Sequence, residues 1–178
     1  MMRSIARVAA AMLGAFLVAG CVDSPGPLLK DARPLFGQQL RLQFYALRNG
    51  AAGEPEEAAY KWDGERYTHA SGGMDDVSAF SVHPAGSDIF IVQSFSSRHP
   101  QLVEYAVARK LTEGVYQVAA IDEDDAPRPL RRRLCKRTDA SHCRIESRTA
   151  LLEFARVTAR QRRGQGGLVL RLADQAPR

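Results

Sequence analysis

Between Val103 and Ile121 the chain carries two alternating runs joined by a link too short for a helix. Val103, Tyr105 and Val107 alternate with Glu104, Ala106 and Ala108; Leu111-Thr112-Glu113-Gly114 turns the chain, and Val115 to Ile121 returns it. Parallel strands need a crossover of about a dozen residues or more, so strands this close pair antiparallel. The same grammar recurs upstream. Leu40, Leu42, Phe44 and Ala46 alternate with Arg41, Gln43 and Tyr45, the period-two pattern of a strand with one wet face. Ala58–Trp62 and Glu65–His69 flank Asp63-Gly64, the favoured pair for a two-residue hairpin. That register sets Tyr60 opposite Tyr67 and Lys61, unfavourably, opposite Arg66; a longer loop is the other option. Val77 to His83 precedes a turn at Pro84–Ser87. Ile89-Phe90-Ile91-Val92 is short, β-branched and turn-bounded, and reads as a central strand buried on both faces.

One helix is expected near the C-terminus. Ser147 can cap a helix from Arg148 to about Arg162, with Leu151, Phe154, Ala155 and Thr158 on one side and Leu152 and Ala159 beside them. Gly164, Gly166 and Gly167 stop it, and Leu168, Leu170 and Leu172 mark a last strand. The fold class is therefore mainly β, at the margin of α+β: an antiparallel meander of seven or eight strands, able to curl into a small open or closed barrel, with one C-terminal helix followed by a final strand. Helix then strand is compatible with lipocalin-like barrels, although their Gly-x-Trp signature is absent before a first strand.

The first residues have a different character. Arg3 and Arg7 form a short positive region, Val8 to Ala19 is apolar apart from Gly14, and small residues run up to a cysteine. This is a secretory leader, too short for a stable membrane span. Val18-Ala19-Gly20-Cys21 resembles the lipobox of bacterial lipoproteins. The resemblance covers the leader alone. It implies acylation of the Cys21 thiol, cleavage before Cys21 and usually acylation of the new amino group. It divides the chain into a signal peptide (1–20), a lipidated N-terminus and tether (21–34) and a single β-rich domain (35–174). Val22 after the cysteine leans, by the same resemblance, towards the periplasmic face of the outer membrane.

In an exported chain the remaining pair, Cys135 and Cys143, reads as a disulfide closing a polar surface loop. The rival reading, a metal site with His142, has only three candidate ligands and no Cys-x-x-Cys spacing, so no metal is expected. Charge is uneven: residues 21–127 hold 9 basic and 16 acidic residues, residues 128–178 hold 14 and 4. The halves can neutralise each other in the fold. Alternatively, Arg131, Arg132 and Arg133, with a helical stripe of Arg156, Arg160 and Arg163, present a basic face to an anionic surface. The run Asp122-Glu123-Asp124-Asp125 lacks the glycine and distal glutamate of a calcium loop and reads as a solvated turn before an edge strand.

No nucleophile elbow, zinc-protease helix or phosphate-cradling loop is present, and no cofactor is expected. His69, His83, His99 and His142 stand apart in sequence, and only the fold can say whether the first three converge. The extracytoplasmic address argues against nucleic acid. The expected function is a membrane-anchored, non-catalytic binding or assembly module, with the membrane, anionic lipid or another envelope protein as partner. The alternative is a small periplasmic hydrolase or a lysozyme-type enzyme inhibitor.

Overall fold

The computed structural model describes residues 22–48, 51–70, 77–96, 100–137, 143–162 and 168–173. In chain order the strands are β1 (Val22–Ser24), β2 (Gln39–Arg48), β3 (Ala51–Ala52), β4 (Glu56–Trp62), β5 (Tyr67–His69), β6 (Val77–Pro84), β7 (Ile89–Ser96), β8 (Val103–Thr112) and β9 (Val115–Ala120). A 3-10 turn (Glu123–Asp125), helix α1 (Arg128–Leu134), β10 (Lys136–Arg137), β11 (Cys143–Arg144), helix α2 (Arg148–Gln161) and β12 (Leu168–Leu172) complete the order.

Eight strands close into an antiparallel up-and-down barrel in the order β2-β4-β5-β6-β7-β8-β9-β12, and β12 returns to β2 with Leu168 opposite Ala46 and Leu172 opposite Leu42. Closure removes the free edges that an open sheet would expose. The short β3 pairs β2 outside this ring. β9 pairs the Ala106–Thr112 part of β8; beyond it β1 takes over, with Asp23 opposite Glu104 and Ser24 opposite Val103. β11 runs parallel to β1, and β10 pairs β11.

Alternation divides the strands into two cores. Inward side chains, among them Leu40, Leu42, Phe44, Tyr60, Trp62, Tyr67, Phe80, Val82, Tyr116 and Leu168, fill the barrel. The outer faces of β7 and β8 carry Ile91, Val103, Tyr105 and Val107, which lie under Leu151, Phe154 and Ala155 of α2 together with Val22, Leu29 and Ile145. The expected double burial of Ile89–Val92 follows: Phe90 and Val92 pack with the barrel core and Ile91 with the outer one. Helix α2 is capped as anticipated, the Ser147 hydroxyl accepting the Ala150 N–H at 3.2 Å.

Five expectations need correction. The acidic run is not a solvated turn: Glu123 and Asp125 are buried in the 3-10 turn, where Arg162 meets Asp125. The β4–β5 loop is longer than two residues: Trp62, not Tyr60, faces Tyr67, and Tyr60 faces His69. The Asp63 carboxylate accepts the N–H groups of Glu65 and Arg66, both at 2.9 Å, and Gly64 takes a positive φ of 111°. This loop lifts Arg66 out of the ladder and so avoids its pairing with Lys61. The arginine run after Pro127 is a helix, not an edge strand, with Pro129 in its first turn where a missing N–H costs nothing. The described residues thus hold two α-helices rather than one. Finally, Val22–Ser24 is buried strand where a tether was expected.

Candidate functional site

The barrel interior is the obvious place for a ligand, and it is nearly full. An eight-stranded barrel is just wide enough to be filled by side chains or to hold one small molecule. Phe36 enters one end, its ring 5.4 Å from Tyr116 and 6.4 Å from Phe90. Tyr60, Phe80, Tyr67 and Trp62 continue the aromatic packing, with centroids 4.9 to 5.3 Å apart. The apolar cavity left between Phe36 and Leu168 measures about 60 Å³, against roughly 300–1,000 Å³ for a typical ligand pocket.

Larger spaces lie outside the barrel, along the segment Pro25–Gln38. Three side chains sew this strap to the sheet. Ser24 Oγ donates to the Gly26 carbonyl at 2.5 Å, so the Tyr105 hydroxyl, 2.6 Å away, donates to Ser24 and accepts the Leu28 N–H at 3.2 Å. Gln93 treats Leu29 as a strand partner would: Oε1 accepts its N–H at 3.1 Å and Nε2 donates to its carbonyl at 3.3 Å. The Tyr67 hydroxyl accepts the Phe36 N–H at 3.1 Å and donates to the Gly37 carbonyl at 3.0 Å. Burial pushes the hydroxyl pKa of Tyr67 and Tyr105 upward, which keeps both neutral donors. Two grooves flank the strap. One, about 430 Å³, runs towards the start of α2 past His83 and Arg148; the other, about 410 Å³, runs past Ser81, Gln93 and Arg66.

His83 and Ser81 share the outer face of β6. Gln93 Nε2 donates to Ser81 Oγ at 3.3 Å, leaving the serine proton for His83 Nε2 at 2.9 Å. This network assigns the proton of the neutral imidazole to Nδ1. The His83 pKa is lowered by burial first and by Arg148 second, with Asp31 opposing. A serine aimed at a neutral histidine is the geometry of a nucleophile and its base. Here, however, Ser81 is only 2 % exposed and its oxygen is tied to Gln93 beneath Leu29.

The residues singled out from sequence fall as follows. Cys135 and Cys143 form a disulfide, Cα–Cα 5.0 Å, adjoining β1 where Val22 pairs Cys143. The Glu123 carboxylate lies beside the two sulfurs, which are spent on each other. His69 packs its ring 5.2 Å from Tyr60, near the end of the barrel opposite to His83, so the two histidines do not converge. Cys21, His99, His142 and Arg163 lie outside the described residues. Arg131 pairs with Asp124 and Arg133 with Glu153. Arg132, Arg156 and Arg160 are exposed and have no ion-pair partner among the described residues.

Among the described residues, three arginines of the basic tail, Arg131, Arg144 and Arg162, pair with the acidic body. Arg162 Nε donates to both Asp125 oxygens, at 2.8 and 3.0 Å, and its guanidinium reaches Asp122 at 3.4 Å. Burial raises the Asp125 pKa, against the pull of Arg162. Arg144 holds Asp23 at 3.1 Å. Sequence reading missed the strap, Gln93 and the grooves. The only local signal was Pro25 and Pro27, which says extended but not docked. No family model, curated protein or solved structure matches the chain.

Proposed function

We propose that the chain is a membrane-anchored cell-envelope lipoprotein acting as a non-catalytic binding module, held close against the bilayer by an acylated Cys21. The observation that carries this reading is the position of Val22: it follows Cys21 directly and is fully buried in β1 between β8 and β11. Lipid on Cys21 would thus be coupled to the sheet itself, without a flexible spacer. Two or three acyl chains on one residue anchor stably, each buried methylene contributing roughly 0.8 kcal/mol.

The exposed Arg132, Arg156 and Arg160, with Arg133 beside Glu153, offer a basic surface on α1 and α2 for anionic headgroups. Each basic residue contributes about 1 kcal/mol at most near such a surface, and salt weakens it. The grooves beside the strap supply the ligand-sized space that the barrel interior lacks. The hydrolase alternative would draw on Ser81 and His83, but it needs the strap displaced before Ser81 could meet a substrate.

The test is metabolic labelling with an alkyne fatty acid. The wild-type chain should take up label and fractionate with membranes, and Cys21→Ser should lose both. A labelled, membrane-bound Cys21→Ser variant of unchanged mass would sink the anchor. Residues 22–178, made without the leader, should cosediment with anionic over zwitterionic vesicles at low salt, and Arg132→Gln with Arg156→Gln and Arg160→Gln should remove that preference. Equal sedimentation with both vesicle types would sink the basic surface.

A further inference from the structure

The groove at the start of α2 has an electrostatic peculiarity. Helix N-termini carry partial positive charge and favour acidic residues, yet the first turn of α2 has none and opens on Arg148. Lys30 of the strap and His83 of β6 line the same groove, and among the described residues the one carboxylate on its wall is Asp31. Asp31 sits at a positive φ of 59°, a left-handed conformation that aspartate tolerates better than most residues. His83 is more than nine-tenths buried, its Nε2 is taken by Ser81, and its Nδ1 has no hydrogen-bond partner among the described residues. The groove is also lined by the half-buried apolar side chains of Leu28 and Leu152. At about 430 Å³ the space is within the range of small-molecule sites.

We propose that this groove binds a small carboxylate with a short alkyl tail, the head held by Arg148, the His83 Nδ1–H and the positive end of α2, the tail lying on Leu28 and Leu152. Arg148 supplies a planar fork suited to carboxylate oxygens. A carboxylate there would satisfy the imidazole N–H and offset the concentration of positive charge around it. Asp31 works against the ligand and sets a limit on its affinity. The inference takes from the binding-module reading only that the grooves are ligand sites; it does not require the lipid anchor.

The experiment is calorimetric titration of the full chain with three probes of equal tail length: octanoate, 1-octanol and octylammonium. Octanoate should bind and the other two should bind more weakly or not at all. Arg148 is exposed, so Arg148→Ala should fold normally and weaken octanoate roughly tenfold, the scale of one lost charge-assisted hydrogen bond. Asp31→Asn should change binding in the opposite direction and tighten it. Comparable binding of all three probes, unmoved by Arg148→Ala and Asp31→Asn, would overturn the anion assignment while leaving a binding groove. No octanoate binding at millimolar concentration, with both variants folded, would overturn the inference outright; the anchor and vesicle experiments decide the wider reading separately.

Discussion

The two cores use the same strands differently. Inside the barrel, β8 contributes only Ala106 and Ala108, and aromatic side chains from β4, β5 and β6 reach across the space they leave, short by about 60 Å³. On its outer face the same strand carries Val103, Tyr105 and Val107, met by Leu151, Phe154 and Ala155, which are fully buried. The barrel is thus a closed scaffold with a little slack, and the outer layer is tightly filled by elements brought from both ends of the chain. Strength of packing and place of binding are separated: the grooves open where the strap and α2 meet the barrel, not within it.

The largest expected effect breaks the outer core. Phe154→Ala removes a wholly buried ring that joins α2 to β7 and β8 and should cost about 3–5 kcal/mol in a denaturant titration. If the outer layer were a loosely docked appendage, the loss would be well under 1 kcal/mol. Next comes the disulfide. Replacing both Cys135 and Cys143 by serine releases a short loop, for which chain entropy predicts about 2–3 kcal/mol. The strand β11 at its end pairs β1, outside the barrel ring, so far-ultraviolet circular dichroism should keep the β signature. Loss of all cooperative unfolding would show that the hairpin supports the barrel as well.

A matched pair of substitutions sharpens the contrast in packing. Ala108 lines the barrel cavity, so Ala108→Val should fill space and raise stability by roughly 0.5–1 kcal/mol. Ala155 is fully buried in the outer core, and Ala155→Val should overpack it at a cost of about 1–3 kcal/mol. Effects of the same sign and size at the two sites would abolish the distinction drawn between the cores.

The sequence made the strands legible because alternation is a local property. Leu40, Leu42 and Phe44 show it, as do Leu168, Leu170 and Leu172, and the Ser147 cap marks the start of α2. Barrel closure was open in the sequence because it depends on β12 finding β2, whose pairing of Leu168 with Ala46 no local pattern encodes. Helix α1 escaped because its apolar period is a single pair, Leu130 and Leu134, set around three arginines and preceded by two prolines, too short to mark a helix. The strap escaped because its anchors, Gln93 and Tyr105, look like ordinary strand residues until the outer face of the sheet is known. The groove was illegible for the same reason: Lys30, His83 and Arg148 come from three distant stretches and meet only in the fold.

The smallest expected effect concerns His83, among the described histidines the one held between the two regions, on the outer face of a barrel strand and under the strap. Burial lowers its pKa below the ordinary 6.5, Arg148 adds to this, and Asp31 opposes it. The unfolded chain, with an unperturbed imidazole, therefore takes up a proton more readily than the folded one as pH falls through 6.5. Stability contributed by the neutral buried ring is complete above that pH and is lost progressively below it, towards the depressed folded value. His83→Gln keeps a polar group near Ser81 and removes the titration. Other histidines and carboxylates also respond to acid, so the informative quantity is a difference. Denaturation curves of wild type and His83→Gln, taken from pH 7.5 to 5.5, should diverge, with the wild type losing more stability on acidification. Parallel curves would mean that His83 reaches solvent freely enough to titrate as in the unfolded chain. Adding Asp31→Asn removes the opposing carboxylate and should steepen the wild-type loss; if it does not, the strap carboxylate is too far from the imidazole to matter.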